Sequence, residues 1–359
     1  MYEVDRLFEK LSSPARLGSA QDIELNVPSV DSLVSKESEI DQGSGGTIYK
    51  CRLNSDRNQV VVLKRFKRRP QESVRTYLFN SLNEFATLKA VQGHASVLGV
   101  YEFLLETGQD EPVYSILIQY CQNGDLLSLL SKARKLNLQI STQNKDFLFL
   151  KCAQAIKFLH SRNIVHRDIK PENFLIDEKG ELKLGDFGNA MDLTRIESYT
   201  VTAEFLSLGT TSFKSPELYE YKNVADDQID ATKINYRAID VWALAILYFN
   251  IAILQKPWAA ATSKDYEFKK YRSKFELASL DQLDSYQLNK NLDSTFLKLP
   301  EISRQTVVKM LNPAPDGRLT ANEVLRSEWL IQVNISLEEN AKKSLSKGRD
   351  DEVLRIINI

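Results

Sequence analysis

The chain is 359 residues long, 43% hydrophobic and 26% charged, the balance of a soluble globular protein with a sizeable core, either one two-lobed domain or two ordinary ones. Its 47 basic and 48 acidic residues leave a net charge of −1, which argues against a protein whose main task is coating nucleic acid. Three widely spaced cysteines, Cys51, Cys121 and Cys152, exclude a zinc cluster or disulfide framework and point to a reducing intracellular compartment. Residues 1–36 are polar with weak periodicity and no apolar leader core, so they read as a loosely ordered extension. "TIYKCRL" and "VVLKRF" are β-rich runs joined by the turn "NSDRNQ", a hairpin signal. The basic run "KRFKRRP" from Lys64 reads as a strand end entering a solvated loop. A helical period covers residues 71–91, followed by the strand candidates "GVYEFLLE" and "VYSILIQY" across the turn "TGQDE". After Asn123 the chain is mostly helical: "DLLSLLSKARKL", "DFLFLKCAQAIKFLHS", "AIDVWALAILYFNIAIL", "STFLKLPEISRQTVVKML" and "TANEVL". The apolar run "VWALAILYFNIAIL" is too short to span a bilayer and reads as a buried core helix.

This organisation is an α+β protein with two lobes. A small half with about five strands and one helix (37–118) is joined by a short hinge to a larger α-rich half (119–332), ahead of a charged tail (333–359).

Three groups of residues carry chemistry. The stretch "IDQGSGGTIYK" puts glycines in a turn between strands, where backbone N–H groups can approach phosphates with no Cβ in the way. Alone it is as compatible with an ordinary hairpin, and no Gly-Lys-Ser/Thr closes it as a Walker A loop. In the next strand Val62, Lys64 and Phe66 share a face by the two-residue period, which sets a lysine among buried side chains. That lysine needs a carboxylate, and Glu84 lies on the inward stripe of the following helix with Tyr77, Leu88 and Val91. The third group is "HRDIKPEN", His166 to Asn173, followed by "GDFGNA".

"HRDIKPEN" and "GDFGNA" resemble the catalytic loop and metal-binding segment of eukaryotic protein kinases, and "GTTSFKSPE", "DVWALAI" and "NPAPDGRLT" continue the resemblance in order, from about Ile40 to Trp329. The resemblance implies a bilobal kinase fold, ATP and Mg2+ as cofactors, and protein substrates with Ser or Thr acceptors. It implies Asp168 as the residue that accepts or orients the hydroxyl proton, Lys170 against the transferring group, and Asn173 and Asp186 as magnesium ligands. Lys64 would grip the α and β phosphates, fixed by Glu84. The nucleotide would lie along Ile40, Asp41, Gln42, Gly43, Ser44, Gly45, Gly46, Thr47 and Ile48, between Val62 and Leu175, past the gatekeeper Ile118. It would meet the hinge at Gln119 to Cys121 and reach Asp125 at the ribose. Leu88, His166 and Phe187 would stack as a spine.

Lys170 and Thr210 match the serine/threonine class, and Glu172 with Asp125 suggests a preference for basic residues upstream of the target. Arg167 would pair with a phosphate on the segment that follows, with Thr200, Thr202 and Ser207 as acceptors. A pseudokinase scaffold is the alternative, favoured only by Asp41 where the family has its first loop glycine. A small-molecule kinase would lack "GTTSFKSPE". The chain departs from the family's pattern at Val62, at the serine of "SPE", in "NPAPDGR", at Ala245 and in an insertion, "YKNVADDQID". "QKPWAAATSKDYEFKKY" resembles a fungal group related to a meiotic repressor. The expected setting is a cytoplasmic or nuclear monomer without nucleic-acid partner or membrane insertion.

Overall fold

A computed structural model describes residues 27–43, 45–106 and 111–344, with side chains as far as residue 336. Residues 1–26, Ser44, 107–110 of the second turn and 345–359 of the tail lie outside the described residues. The first elements among the described residues are the short helix α1 (Val30–Leu33) and then β1 (Val34–Gly43), β2 (Gly46–Leu53) and β3 (Val60–Phe66). Helix α2 (Val74–Ala90) follows, and β4 (Val100–Glu106) and β5 (Val113–Gln119) complete a five-stranded antiparallel sheet in the order β1-β2-β3-β5-β4.

The two-residue period of β3 sorts its side chains as the sequence predicts. Val62 and Phe66 face the main core, packed with Tyr77, Leu88 and Val91 of the α2 region. Val61 and Leu63 face the other way into a small second core with Cys51, Leu104 and Leu117. Ser73 caps α2 by accepting from the Thr76 amide, which fixes where the helix begins and so which face Glu84 presents.

The second lobe is built on α3 (Leu126–Lys135), α4 (Thr142–Ser161) and the short β6 (Ile164–Val165), β7 (Phe174–Ile176), β8 (Leu182–Leu184) and β9 (Met191–Asp192). Then come α5 (Ala203–Leu206), α6 (Pro216–Glu220), α7 (Tyr236–Ile253), α8 (Tyr266–Ala278), α9 (Ser285–Asn291), α10 (Ser294–Leu297), α11 (Glu301–Met310), α12 (Ala321–Leu325) and α13 (Glu328–Ser344). Helix α7 is buried over almost its whole length, because the other helices enclose it. By length and apolarity it could cross a membrane, yet 89% of it is buried inside the protein.

Three boundaries differ from the sequence reading. Residues 30–36, expected in a loose extension, form α1 and the start of β1, because Val30 and Val34 insert into the second core. The apolar pattern from Ser294 to Leu311 is two helices rather than one, since Pro300 cannot continue a helix and instead starts α11. The first part of the tail continues α13: Trp329, Leu330 and Val333 form its buried stripe, and the Trp329 ring stacks on Phe149 with centroids 5.1 Å apart.

Candidate active site

Lys64 lies in the middle of the sheet, opposite Ile48 on β2 and Ile116 on β5. Its ammonium sits 2.6 Å from Glu84 Oε1 and 2.8 Å from Asp186 Oδ1, so residues from strand, helix and the loop after β8 meet at one point. Burial by itself would lower the Lys64 pKa, but the Asp186 and Glu84 carboxylates hold it above the ordinary lysine value. The Lys64 ammonium holds the Asp186 carboxyl well below the usual carboxylate range, while burial pushes the Glu84 carboxyl up. A cationic lysine and an anionic Asp186 are therefore the neutral-pH state. The Asp186 side chain remains 46% exposed, open to a ligand from the cleft. Gly188 lies close against this group: a Cβ there would lie 3.2 Å from Glu84 Oε2 and 3.5 Å from Asp186 Oδ1, so a side chain would press on the Glu84 carboxylate.

The loop after β6 is held from beneath. Asp240 on α7 accepts from the amides of His166 at 2.9 Å and Arg167 at 2.8 Å, and meets His160 Nε2 at 2.9 Å. This anchoring accompanies a left-handed backbone at Arg167, φ 64°, which turns the chain so that Asp168 faces the cleft. Asp168 Oδ2 takes the Lys170 ammonium at 2.7 Å. Asp168 Oδ1 accepts from the amide of Thr210 at 3.0 Å and from its hydroxyl at 2.9 Å. The Asn173 amide nitrogen donates to the Asp168 carbonyl at 2.8 Å, a bond that does not use the amide oxygen. The His166 ring is fully buried, meets the Gly185 carbonyl at 2.9 Å and packs edge-on to Phe187 at 5.1 Å, so it is a packing residue.

The residues expected along the nucleotide take up different surroundings. Val62 and Ile118 are buried, and Leu175 packs half-buried against the same core, its strand bridged to Asp125. Ile40, Asp41, Gln42 and Gly43 lie exposed on β1, where Asp41 pairs with Ile48 and Gln42 with Thr47. Asp41 Oδ1 accepts from the Gln42 amide at 2.8 Å, so this carboxylate is held at its own strand and exposed to solvent. Of the loop glycines, Gly46 has φ 143° and no room for a side chain, whereas a Cβ on Gly43 would meet nothing within 4 Å. Gly45 approaches the Lys64 side chain, and Ser44 lies outside the described residues. At the hinge the Gln119 amide donates to the Gly99 carbonyl at 2.8 Å, and burial pushes the half-buried Cys121 thiol up to about 12. Asp125 caps α3 through Ser128, accepting from its amide at 2.9 Å and its hydroxyl at 2.7 Å.

The residues expected to take part in regulation are placed differently from one another. Thr210 joins Asp168 and Lys170, whereas Thr202 caps α5 by accepting from the Phe205 amide, and the Ser207 hydroxyl donates to the Glu204 carbonyl. Arg167 meets none of the three candidate acceptors; its guanidinium donates to the carbonyls of Phe205 at 2.6 Å and Asn189 at 3.3 Å. Sequence reasoning missed Asn83, Tyr199 and Asp226, which tie the segment after Asp186 to its surroundings and carry no local pattern that would single them out. An open groove of about 1380 Å3 lies between α2 and that segment, with Glu84, Gly188, Tyr199 and Phe205 in its lining.

A two-lobed fold whose sheet, helix and loops converge Lys64, Glu84, Asp168, Asn173 and Asp186 defines the protein kinase class. Residues 34–330 match the family described as "Protein kinase domain", and the chain belongs to that family. It is 25% identical over 292 residues to the serine/threonine-protein kinase hal4 of Schizosaccharomyces pombe, covering 80% of this chain and 41% of that protein. It is 26% identical over 339 residues to the serine/threonine-protein kinase PRR2 of Saccharomyces cerevisiae, covering 88% of this chain and 44% of that protein. The chain thus spans less than half the length of these fungal relatives. A chain in the solved structure of the CAK complex of Chaetomium thermophilum bound to ATP-gamma-S shares the fold. Its TM-score is 0.63 at 19% identity, over 83% of this chain and 91% of that one.

Proposed function

We propose that the chain is an active serine/threonine protein kinase that transfers the γ-phosphoryl group of ATP to Ser or Thr hydroxyls of protein substrates. The observation that carries this reading is the Lys64 ammonium between Glu84 and Asp186, with Asp168 and Asn173 across the cleft. Lys64 supplies fixed positive charge for phosphates, already oriented, so little reorganisation is needed when a nucleotide binds. The donor set suits magnesium: an ionised Asp186 and the Asn173 amide oxygen are hard ligands of the kind that ion takes. Among the described residues no group of three His, Cys, Asp or Glu side chains could hold a metal alone, so the remaining ligands would come from phosphate and water. Magnesium held there would spread positive charge over the phosphates.

Asp168 accepts or orients the proton of the acceptor hydroxyl, worth on the order of 10² to 10⁴-fold for a positioned base. Lys170 and Thr210 hold its carboxylate from either side, and this pairing of Lys170 with Thr210 supports the Ser/Thr choice. The pseudokinase alternative rests on Asp41 alone, and that side chain is held at its own strand and exposed to solvent. A cytoplasmic setting fits the three unpaired cysteines, Cys51, Cys121 and Cys152.

The test is transfer of labelled phosphate from ATP and Mg2+ to peptide arrays, beside an Asp168→Asn control. Transfer to Ser and Thr peptides by the unaltered protein alone supports the reading; equal signals from both proteins would sink it.

A further inference from the structure

The segment from Asp186 to Glu217 is tied down at three places without any added group. The Tyr199 hydroxyl donates to Asn83 Oδ1 at 2.7 Å and accepts from the Asp192 amide at 2.9 Å. The Asn83 amide nitrogen in turn donates to the Ala190 carbonyl at 2.8 Å. Asn83 immediately precedes Glu84 on α2, so the helical turn that presents Glu84 to Lys64 is bonded directly to this segment. The Phe79 ring packs edge-on against Tyr199 at 5.8 Å one turn earlier on the same helix.

The second tie is Arg167. Its guanidinium lies 3.9 Å from the centroid of the Phe205 ring while donating to the Phe205 and Asn189 carbonyls. A buried cation must be compensated, and here an aromatic face and two backbone oxygens do it. The third tie comes from the insertion Tyr221–Asp230. Asp226 Oδ1 accepts from the Ala203 amide at 2.8 Å, while Thr202 satisfies the Phe205 amide, so two amides at the start of α5 are met by oxygens from two different segments.

We propose that Tyr199 and the insertion residue Asp226 are positioning residues that clasp this segment, so that Glu84 and Thr210 are held in place and phosphoryl transfer proceeds with no phosphate on the segment. This rests on the kinase reading above. Asp226 is exposed, so replacing it removes the tie without opening the core.

The test uses the full chain treated with phosphatase until its intact mass shows no phosphate, followed by steady-state kinetics and amide hydrogen exchange. The phosphate-free protein is expected to keep its kcat within about twofold, since no interaction made in the transition state is lost. Asp226→Ala is expected to speed exchange at residues 203–205 about 10-fold, the worth of one charge-assisted hydrogen bond, and to lower kcat with the KM for ATP little changed. Asp226→Glu should restore both, and Tyr199→Phe should speed exchange at Asp192. Loss of activity on phosphatase treatment, or exchange at 203–205 unaltered in Asp226→Ala, would overturn the proposal. Faster exchange at 203–205 in Asp226→Ala, with no phosphate transferred by the unaltered protein, would uphold the clasp and refute the kinase reading instead.

Discussion

The Arg318 guanidinium and the Glu217 carboxylate meet through two parallel hydrogen bonds, Nη1 to Oε1 at 2.6 Å and Nη2 to Oε2 at 2.7 Å. Arg318 also donates to the carbonyls of Asn312, Ala238 and Pro313, so every side of this buried group is engaged. Glu217→Ala would leave an uncompensated buried charge and is expected to cost on the order of 3–5 kcal/mol, read as a lowered urea midpoint. Arg318→Lys should recover little of it, because an ammonium cannot reproduce the planar fork.

The loop glycines should separate cleanly under substitution. Gly46→Ala would place a Cβ 2.0 Å from the Arg65 carbonyl oxygen, at φ 143°, so backbone must move. A loss of about 1–3 kcal/mol is expected from that strain. Gly43→Ala has open space and should leave the urea midpoint within about 0.5 kcal/mol of the parent. Equal losses from the two would contradict the placement of this hairpin.

Asp240 gives a pH-dependent contribution of defined sign. Burial alone would push its carboxyl up, but the hydrogen bonds from His160 and the His166 amide hold it below the ordinary value. A depressed folded value means stabilisation that is complete above about pH 4, the unfolded value, and lost as pH falls through the folded one. Asp240→Asn should therefore be less stable than the parent by on the order of 2–4 kcal/mol at pH 7, with the gap narrowing below about pH 4. Denaturation midpoints measured from pH 3 to pH 7 decide it; a gap that widens on acidification would contradict the sign.

Cys121 lies at the hinge beside the cleft with its thiol pushed up to about 12 by burial, from an ordinary 9.0. Only the thiolate is nucleophilic, so alkylation by iodoacetamide at pH 8 should be at least about a hundredfold slower than for an exposed cysteine peptide. Peptide mass spectrometry over time measures this directly, and parity with the peptide would show a thiolate that the burial does not permit.

Much of the site was legible in the sequence because its members announce themselves locally. Lys64 follows from the two-residue period of β3 and Glu84 from the stripe on α2, and both periodicities survive folding since each element has one buried face. Asp168, Asn173 and Asp186 came from short ordered motifs rather than from periodicity. The start of β1 was not legible: its residues are mostly exposed, and the strand exists because β2 supplies its hydrogen bonds. Nor were the ties on the segment after Asp186. Tyr199 reaches Asn83 across 116 residues and Asp226 reaches Ala203 across 23, and neither pair leaves a trace in neighbouring residues.

Residues 28–33 do more for the small lobe than their length suggests. The Pro28 carbonyl accepts from the Leu105 amide at 3.1 Å on the edge strand β4, Ser29 bridges to Leu105, and Val30 plugs the second core before the chain enters β1 at the opposite edge. This short belt strings the two open borders of the sheet together across its back. A recombinant fragment trimmed to begin at Val34, where the family match starts, would unbuckle it, leaving Val61, Leu63 and Leu104 uncovered and the β4 border free to pair with a neighbouring molecule. Such a fragment should self-associate in light scattering under conditions where one begun at Val27 stays dispersed.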